Sequence, residues 1–130
     1  MTSDLITRLS KLDAPDREVD WEIQQFFMGE WLQKNGYRRE GDHYRTFTPP
    51  LSGTEICSGP EHYTASVDAA IALAERVFPG TEYEFTNLYN IVRVTIEMNG
   101  EYGGFHGEHI NSLPIAICIA LLRAKEANHV

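Results

Sequence analysis

Cysteine is scarce in this 130-residue chain: there are two, Cys57 and Cys118. Small domains held by disulfides carry more, so a disulfide between these two is not the expectation and a reducing compartment is. Cys118 stands in an apolar stretch and reads as a buried thiol. Basic residues are also few, 11 against 19 acidic ones, which leaves a formal net charge of −8. General nucleic-acid binding and binding to an anionic membrane surface need a basic footprint, and this chain lacks one. A small anionic ligand held by a few local arginines remains open. Long apolar runs are missing too. The longest, from Leu113 to Leu122, is about half of a membrane span. The opening MTSDLITRLSKLD is polar and charged, unlike a signal peptide. No Walker loop, dinucleotide fingerprint or H-E-x-x-H is present, and no Ser/His/Asp or Cys/His arrangement stands out. The length fits one domain, 1–130, with a sizeable core.

What is there reads as alternating helices and strands. Leu5, Ile6, Leu9 and Leu12 have helical spacing behind a Ser3-Asp4 cap. Asp13-Ala-Pro15-Asp16 then starts a second helix, with Val19, Ile23, Phe26 and Phe27 on one face and Gly29 expected to weaken or end it. Glu40-Gly41-Asp42 is a turn signal, giving a hairpin of Tyr37–Arg39 against His43–Thr48 that Pro49-Pro50 stops. Residues 51–62, LSGTEICSGPEH, read as a long loop. Ser66 caps a third helix that Pro79-Gly80 ends. Glu82–Phe85 alternates, Asn87–Asn90 turns, and Ile91–Met98 is a half-buried strand. Asn99-Gly100 signals a second tight hairpin, with the return strand in GEYGGFHGEH. Asn111 or Ser112 caps the last helix, Leu113 to about Ala127, which is apolar nearly all round and therefore central. The class is α+β. The expected architecture is an antiparallel sheet of about four strands in two hairpins, packed with about four helices in the order αα-ββ-α-ββ-α.

The stretches LDAPDREVDWEI, YTASVDAAIALAERVFPG and SLPIAICIALLRA carry a resemblance. They are similar to the phage α-β-α (ABA) sandwich domain of small bacteriophage and prophage proteins. Pro15-Asp16-Arg17-Glu18, Tyr63-Thr64-Ala65-Ser66 and Pro79-Gly80 match its pattern directly. Two departures are visible. Leu51–His62 separates the double proline from Tyr63, and the last helix opens Ser112-Leu113-Pro114 where the family has Thr-Pro. The resemblance implies a phage setting, hence the cytoplasm of an infected bacterium, and no particular activity.

Two places offer chemistry. In the first hairpin Arg38, Arg39 and Arg45 stand alongside Tyr37, Tyr44, Thr46 and Phe47, a combination that can hold a phosphate by guanidinium and a base by a ring. Arg38 and Arg39 must point to opposite faces, so one of them can join Arg45. The second place is GEYGGFHGEHINS, residues 100–112. Its glycines can bring backbone amides to a phosphate ahead of a helix N-terminus, or can merely permit a bulge and a close crossover. His106 and His109 lie three apart, one-face spacing on a helix but opposite faces on a strand. They fall short of a zinc set by themselves.

The candidate ligand residues are therefore Arg38, Tyr44 and Arg45 in the hairpin, Tyr63 ahead of the third helix, and Gly103, Gly104, Phe105, His106, His109 and Ser112 at the junction. No catalytic residue, metal or cofactor is assigned. The leading expectation is a non-enzymatic binding protein, sharpened to an anti-defence sponge that sequesters a nucleotide-derived immune signal such as a cyclic nucleotide. It is expected to be a homo-oligomer, with the last helix and the Trp21/Trp31 region as contacts. The alternatives are a protein-interaction module that blocks a host protein or assists phage assembly, and a small nucleotide hydrolase using His106, His109 and a glutamate.

Overall fold

A computed structural model describes residues 2–41, 43–47, 55–89, 91–97 and 104–127. The elements run α1 (Thr2–Ser10), α2 (Arg17–Lys34), β1 (Arg38–Glu40), β2 (His43–Phe47), β3 (Glu55–Ser58), α3 (Val67–Val77), β4 (Glu82–Leu88), β5 (Ile91–Glu97), β6 (Phe105–His109) and α4 (Leu113–Ala127). The class is α+β with four helices, as the periodicities imply. The sheet differs from the expectation of one sheet of about four strands. Six strands form two antiparallel sheets, ordered β1-β2-β3 and β4-β5-β6. β3 was unforeseen because it falls inside the segment read as a loop, and four residues beside Gly and Ser show no alternation. The Asn99-Gly100 turn, Gly103 and Pro49-Pro50 lie outside the described residues. The chain divides into two compact units: Met1–Asp16 with His62–Val130, and Arg17–Glu61.

The larger unit is built around α4. The strand pattern of β5 puts Val92, Val94 and Ile96 on one face, and the register sets His109, Gly107 and Phe105 beside them on β6. α4 packs on that face, against β6 and β5, while α1 and α3 contact α4 as well. Every residue from Ile115 to Leu122 is buried as a result. Leu5 and Leu9 of α1 and Ala70, Leu73 and Ala74 of α3 are buried residues of the same unit. Each large aliphatic side chain taken out of water there stabilises the fold by roughly 1.5–3 kcal/mol. α4 is also well started: the Ser112 hydroxyl accepts the Ile115 N–H at 3.2 Å, and its carbonyl accepts that of Ala116 at 3.1 Å.

α4 approaches β6 unusually closely, and Gly107 is the reason it can. A Cβ built on Gly107 would lie 1.9 Å from the Ala116 carbonyl oxygen and 2.6 Å from the Ala120 nitrogen. Both are backbone atoms and cannot swing away. The alanines at 116 and 120 complete the contact from the helix side. Gly104, at φ +48, lies in the left-handed region, and a Cβ there would come within 2.9 Å of the Ile96 oxygen.

In the smaller unit α2 begins at Arg17, so Pro15 precedes it rather than sitting in its first turn. It also runs through Gly29. A Cβ on Gly29 would approach the Tyr44 hydroxyl to 3.1 Å, so the glycine makes room for a buried tyrosine. The actual stop is Gly36 at φ +87, with the Tyr37 N–H bonded to the Leu32 carbonyl at 3.0 Å. Val19, Ile23, Met28 and Leu32 are buried, whereas Phe26 is exposed.

The ends of each unit are tied locally. The Asp16 N–H donates to the Thr64 hydroxyl at 2.9 Å in the larger unit. In the smaller one Arg17 donates to the Pro60 carbonyl at 2.8 Å, the Glu61 carbonyl at 3.2 Å and the buried Asp20 carboxylate at 3.0 Å. Removing the arginine leaves Asp20 with less compensation in a buried position.

Gly107→Ala is expected to cost about 3 kcal/mol or more, because neither backbone can yield to the added methyl. Denaturant unfolding of the variant checks this, and an unchanged midpoint would mean that α4 and β6 stand farther apart.

Candidate functional site

The hairpin candidates all belong to the smaller unit. β1 and β2 pair as Arg38↔Arg45, Arg39↔Tyr44 and Glu40↔His43. Residues directly opposite share a face. Arg38 and Arg45 are therefore neighbours on one face, and both are exposed. Glu40 is two residues from Arg38 on that same face, and its carboxylate lies 3.3 Å from Arg45 Nε. His43 completes the face. Its ring packs over Gly59, where a Cβ would meet the imidazole at 2.9 Å.

Tyr44 does not share that face. It is fully buried, 5.5 Å from the Trp21 ring, and its hydroxyl has no hydrogen-bond partner among the described residues. Arg39 lies on the Tyr44 side, 5.4 Å over Trp21 in a cation–π contact. Adjacent positions in a strand point opposite ways, so the ring cannot stack on a ligand held by Arg45. Around the Arg38–Arg45 pair the described side chains are one carboxylate, Glu40, and one imidazole, His43, and the β2–β3 register places Glu55 at a position on the same face.

The junction candidates all belong to the larger unit, and there the polar groups are already engaged. His109 is buried. Its Nε2 donates to the Leu12 carbonyl at 2.7 Å, and its Nδ1 accepts the N–H groups of Asn111 at 3.2 Å and Ser112 at 3.1 Å. Those acceptances fix the tautomer: Nδ1 bare, Nε2 protonated. The ring is a strut between the chain after α1 and the turn before α4, with no nitrogen left to bind metal or move a proton. His106 lies on the opposite face of β6, its Nδ1 2.9 Å from the hydroxyl of Thr95, its cross-strand partner. The His106 carbonyl accepts from Arg123 at 2.7 Å. Phe105 is half-buried opposite Ile96, and Ser112 spends its hydroxyl on the α4 cap. Tyr63 is buried, its carbonyl accepting from the Cys118 thiol at 3.7 Å. Among the described residues no group of three or more His, Cys, Asp or Glu side chains is placed to hold a metal ion. No helix among them is long and apolar enough to cross a membrane.

A cavity of about 650 Å³ lies beside α1 and the C-terminal end of α4, lined by Ser3, Ile6, Thr7, Arg123, Glu126 and Ala127. It contains none of the candidate residues.

The sequence reading missed the far end of the second sheet. β4 runs to Leu88, three residues beyond its expected end at Phe85, and pairs there with Ile91, with Tyr89 at φ +53 after it. Leu88 and Ile91 are cross-strand partners and both are exposed, as are Tyr89 and Ile110. The signal was present in LYNI, four residues with no charge at a loop position. Also on this sheet, Tyr83 stacks on Phe85 with centroids 6.1 Å apart. Burial, and then the Glu75 carboxylate, push the Tyr83 phenol above its usual range, and its buried oxygen has no partner among the described residues.

Comparison with protein-family models, with curated proteins and with solved structures finds no match to this chain.

Two outcomes follow. His109→Ala is expected to cost about 2–3 kcal/mol, since it strands a buried carbonyl and two N–H donors, and thermal unfolding will register it. Tyr83→Phe is expected to cost less than about 1 kcal/mol at neutral pH, because the lost hydroxyl has no hydrogen bond to forfeit. The raised Tyr83 value keeps its contribution intact below pH 10.0, where the phenol is neutral folded or unfolded. Above that the unfolded phenol ionises first, and stability falls as pH rises through the folded value. Tyr83→Phe should flatten this alkaline loss, and identical slopes for both proteins would refute the assignment.

Proposed function

We propose that this chain acts by binding and performs no chemistry of its own, and that Arg38 and Arg45 are its grip on a small anionic ligand of nucleotide type. The observation that carries this is the register Arg38↔Arg45, two guanidinium groups opposite one another on an exposed face. Like charges across a sheet repel, and an anion between them relieves that cost while gaining charge-assisted hydrogen bonds. Glu40 lies 3.3 Å from Arg45 Nε at the edge of this pair. The setting is a phage or prophage protein in a bacterial cytoplasm, supported by the resemblance at Pro15–Glu18, Tyr63–Ser66 and Pro79-Gly80. In that setting the ligand is a nucleotide-derived defence signal, which a homo-oligomer of this chain sequesters intact.

The glycine-rich junction is not part of this grip, because Gly107, His109 and Ser112 serve the packing and capping of α4 and His106 is bonded to Thr95. The hydrolase reading loses His109 for the same reason. A protein-interaction module is the second reading, and the exposed Leu88, Tyr89, Ile91 and Ile110 favour it.

Capture and release separates the two. Purified protein is mixed with cyclic and linear nucleotide signals, including cyclic ADP-ribose isomers, then desalted and heat-denatured, and the released material is identified by mass. An intact nucleotide should be recovered, and Arg38→Ala or Arg45→Ala should each weaken capture about tenfold or more, as loss of a charged hydrogen bond does. Retention of nothing by the wild type, or retention by both variants equal to that of the wild type, overturns the arginine grip and makes a host-protein pull-down the next step.

A further inference from the structure

The expectation that α4 supplies an oligomer contact fails, since Ile115–Leu122 is enclosed within its own unit. The second sheet offers another surface. We infer that β4 is a self-pairing edge, and that two copies of this chain join β4 to β4 antiparallel into one six-stranded sheet.

Three observations support this. First, β4 is the end strand of β4-β5-β6, and of its seven residues only Tyr83 is even half-buried. Second, among the described residues the edge is blunted only by the charges of Glu82 and Glu84. EYEFTNL has no proline, no lysine and no glycine, and every residue of β4 is in register with β5, so no bulge twists it away. Monomeric proteins use those devices to prevent strand addition, and a long regular edge without them is a template for another strand.

Third, the charges and the apolar side chains together favour one register. A two-fold axis through Phe85, the midpoint of Glu82–Leu88, pairs all seven residues. Phe85 then faces Phe85 of the second copy, Tyr83 faces Asn87, Glu84 faces Thr86 and Glu82 faces Leu88. No glutamate faces a glutamate. Moving the axis by one residue to Glu84 would set that carboxylate against its own copy, which is unfavourable. The axis at Phe85 also covers apolar surface, because Phe85 is 44% exposed and Leu88 66%. The Tyr83–Phe85 stack would continue across the axis as four rings in a row.

The inference does not depend on the arginine grip, and its test reads mass instead of ligand. By sedimentation equilibrium at micromolar concentration the full chain should show twice its 14.8 kDa. Phe85→Glu places like charges across the axis and should return it to the mass of one chain with an unchanged circular dichroism spectrum. A cysteine scan guards against a variant that fails to fold. In a Cys57→Ser background, Phe85→Cys should link two chains under mild oxidation, because antiparallel partners have Cα atoms about 4.5–5.5 Å apart. Asn87→Cys should not, since its copy would lie roughly 14 Å away. A single-chain mass for the wild type, a dimer that survives Phe85→Glu, or equal linking at both positions overturns the inference.

Discussion

The distance between α4 and β6 is the constraint on which the larger unit depends. A helix apolar all round is stable only if every side is covered, and here β5–β6, α1 and α3 each take a side. The sheet side is the tightest. Gly107 lets the helix backbone descend until the Ala116 carbonyl lies where a Cβ would be. That approach brings Val94 and Ile96 under the helix and buries them fully. A larger residue would lift the helix and open voids along its length, and interiors pack too densely to tolerate them.

Once α4 sits that low, the turn leading into it is confined, and the roles at 104–112 follow. Gly104 must take a left-handed conformation to begin β6. His109 must satisfy the N–H groups of Asn111 and Ser112, which the short turn leaves without partners of their own, and it reaches Leu12 with its other nitrogen. Ser112 must cap. A stretch rich in glycine, histidine and aromatics has the composition of a site. Here the same residue types solve a problem of backbone satisfaction and close approach.

How much of this was legible is best seen element by element. The helix at Leu113–Ala127 and its Ser112 cap were readable because a cap before an apolar run is a local signal. α3, between Ser66 and Pro79-Gly80, was readable for the same reason. Gly29 misled, since a mid-helix glycine and a terminal one look alike until the tyrosine it accommodates is known; that partner, Tyr44, is fifteen residues away on another strand. β3 was hidden because its pairing with β2 is set by register across residues that share no local pattern with it. Among the candidate ligand residues, strand alternation could already separate Tyr44 from Arg45. It could not say which face α2 would cover, because that depends on Trp21 and the room left by Gly29.

The two units differ in how far their polar groups are committed. Around β6 and α4, His106, His109, Ser112 and Arg123 all bond within the unit, so a ligand there would have to displace a bond the fold already uses. On the β1–β2 face the ion pair Arg45–Glu40 is half-exposed, and such pairs contribute only about 0–1 kcal/mol. Under the proposed reading, an anion on this face would meet both guanidinium groups, Arg38 and Arg45, in place of that weak pair. By the same reasoning a substitution at Arg38 or Arg45 can change binding while leaving folding nearly untouched, and one at Gly107 or His109 cannot.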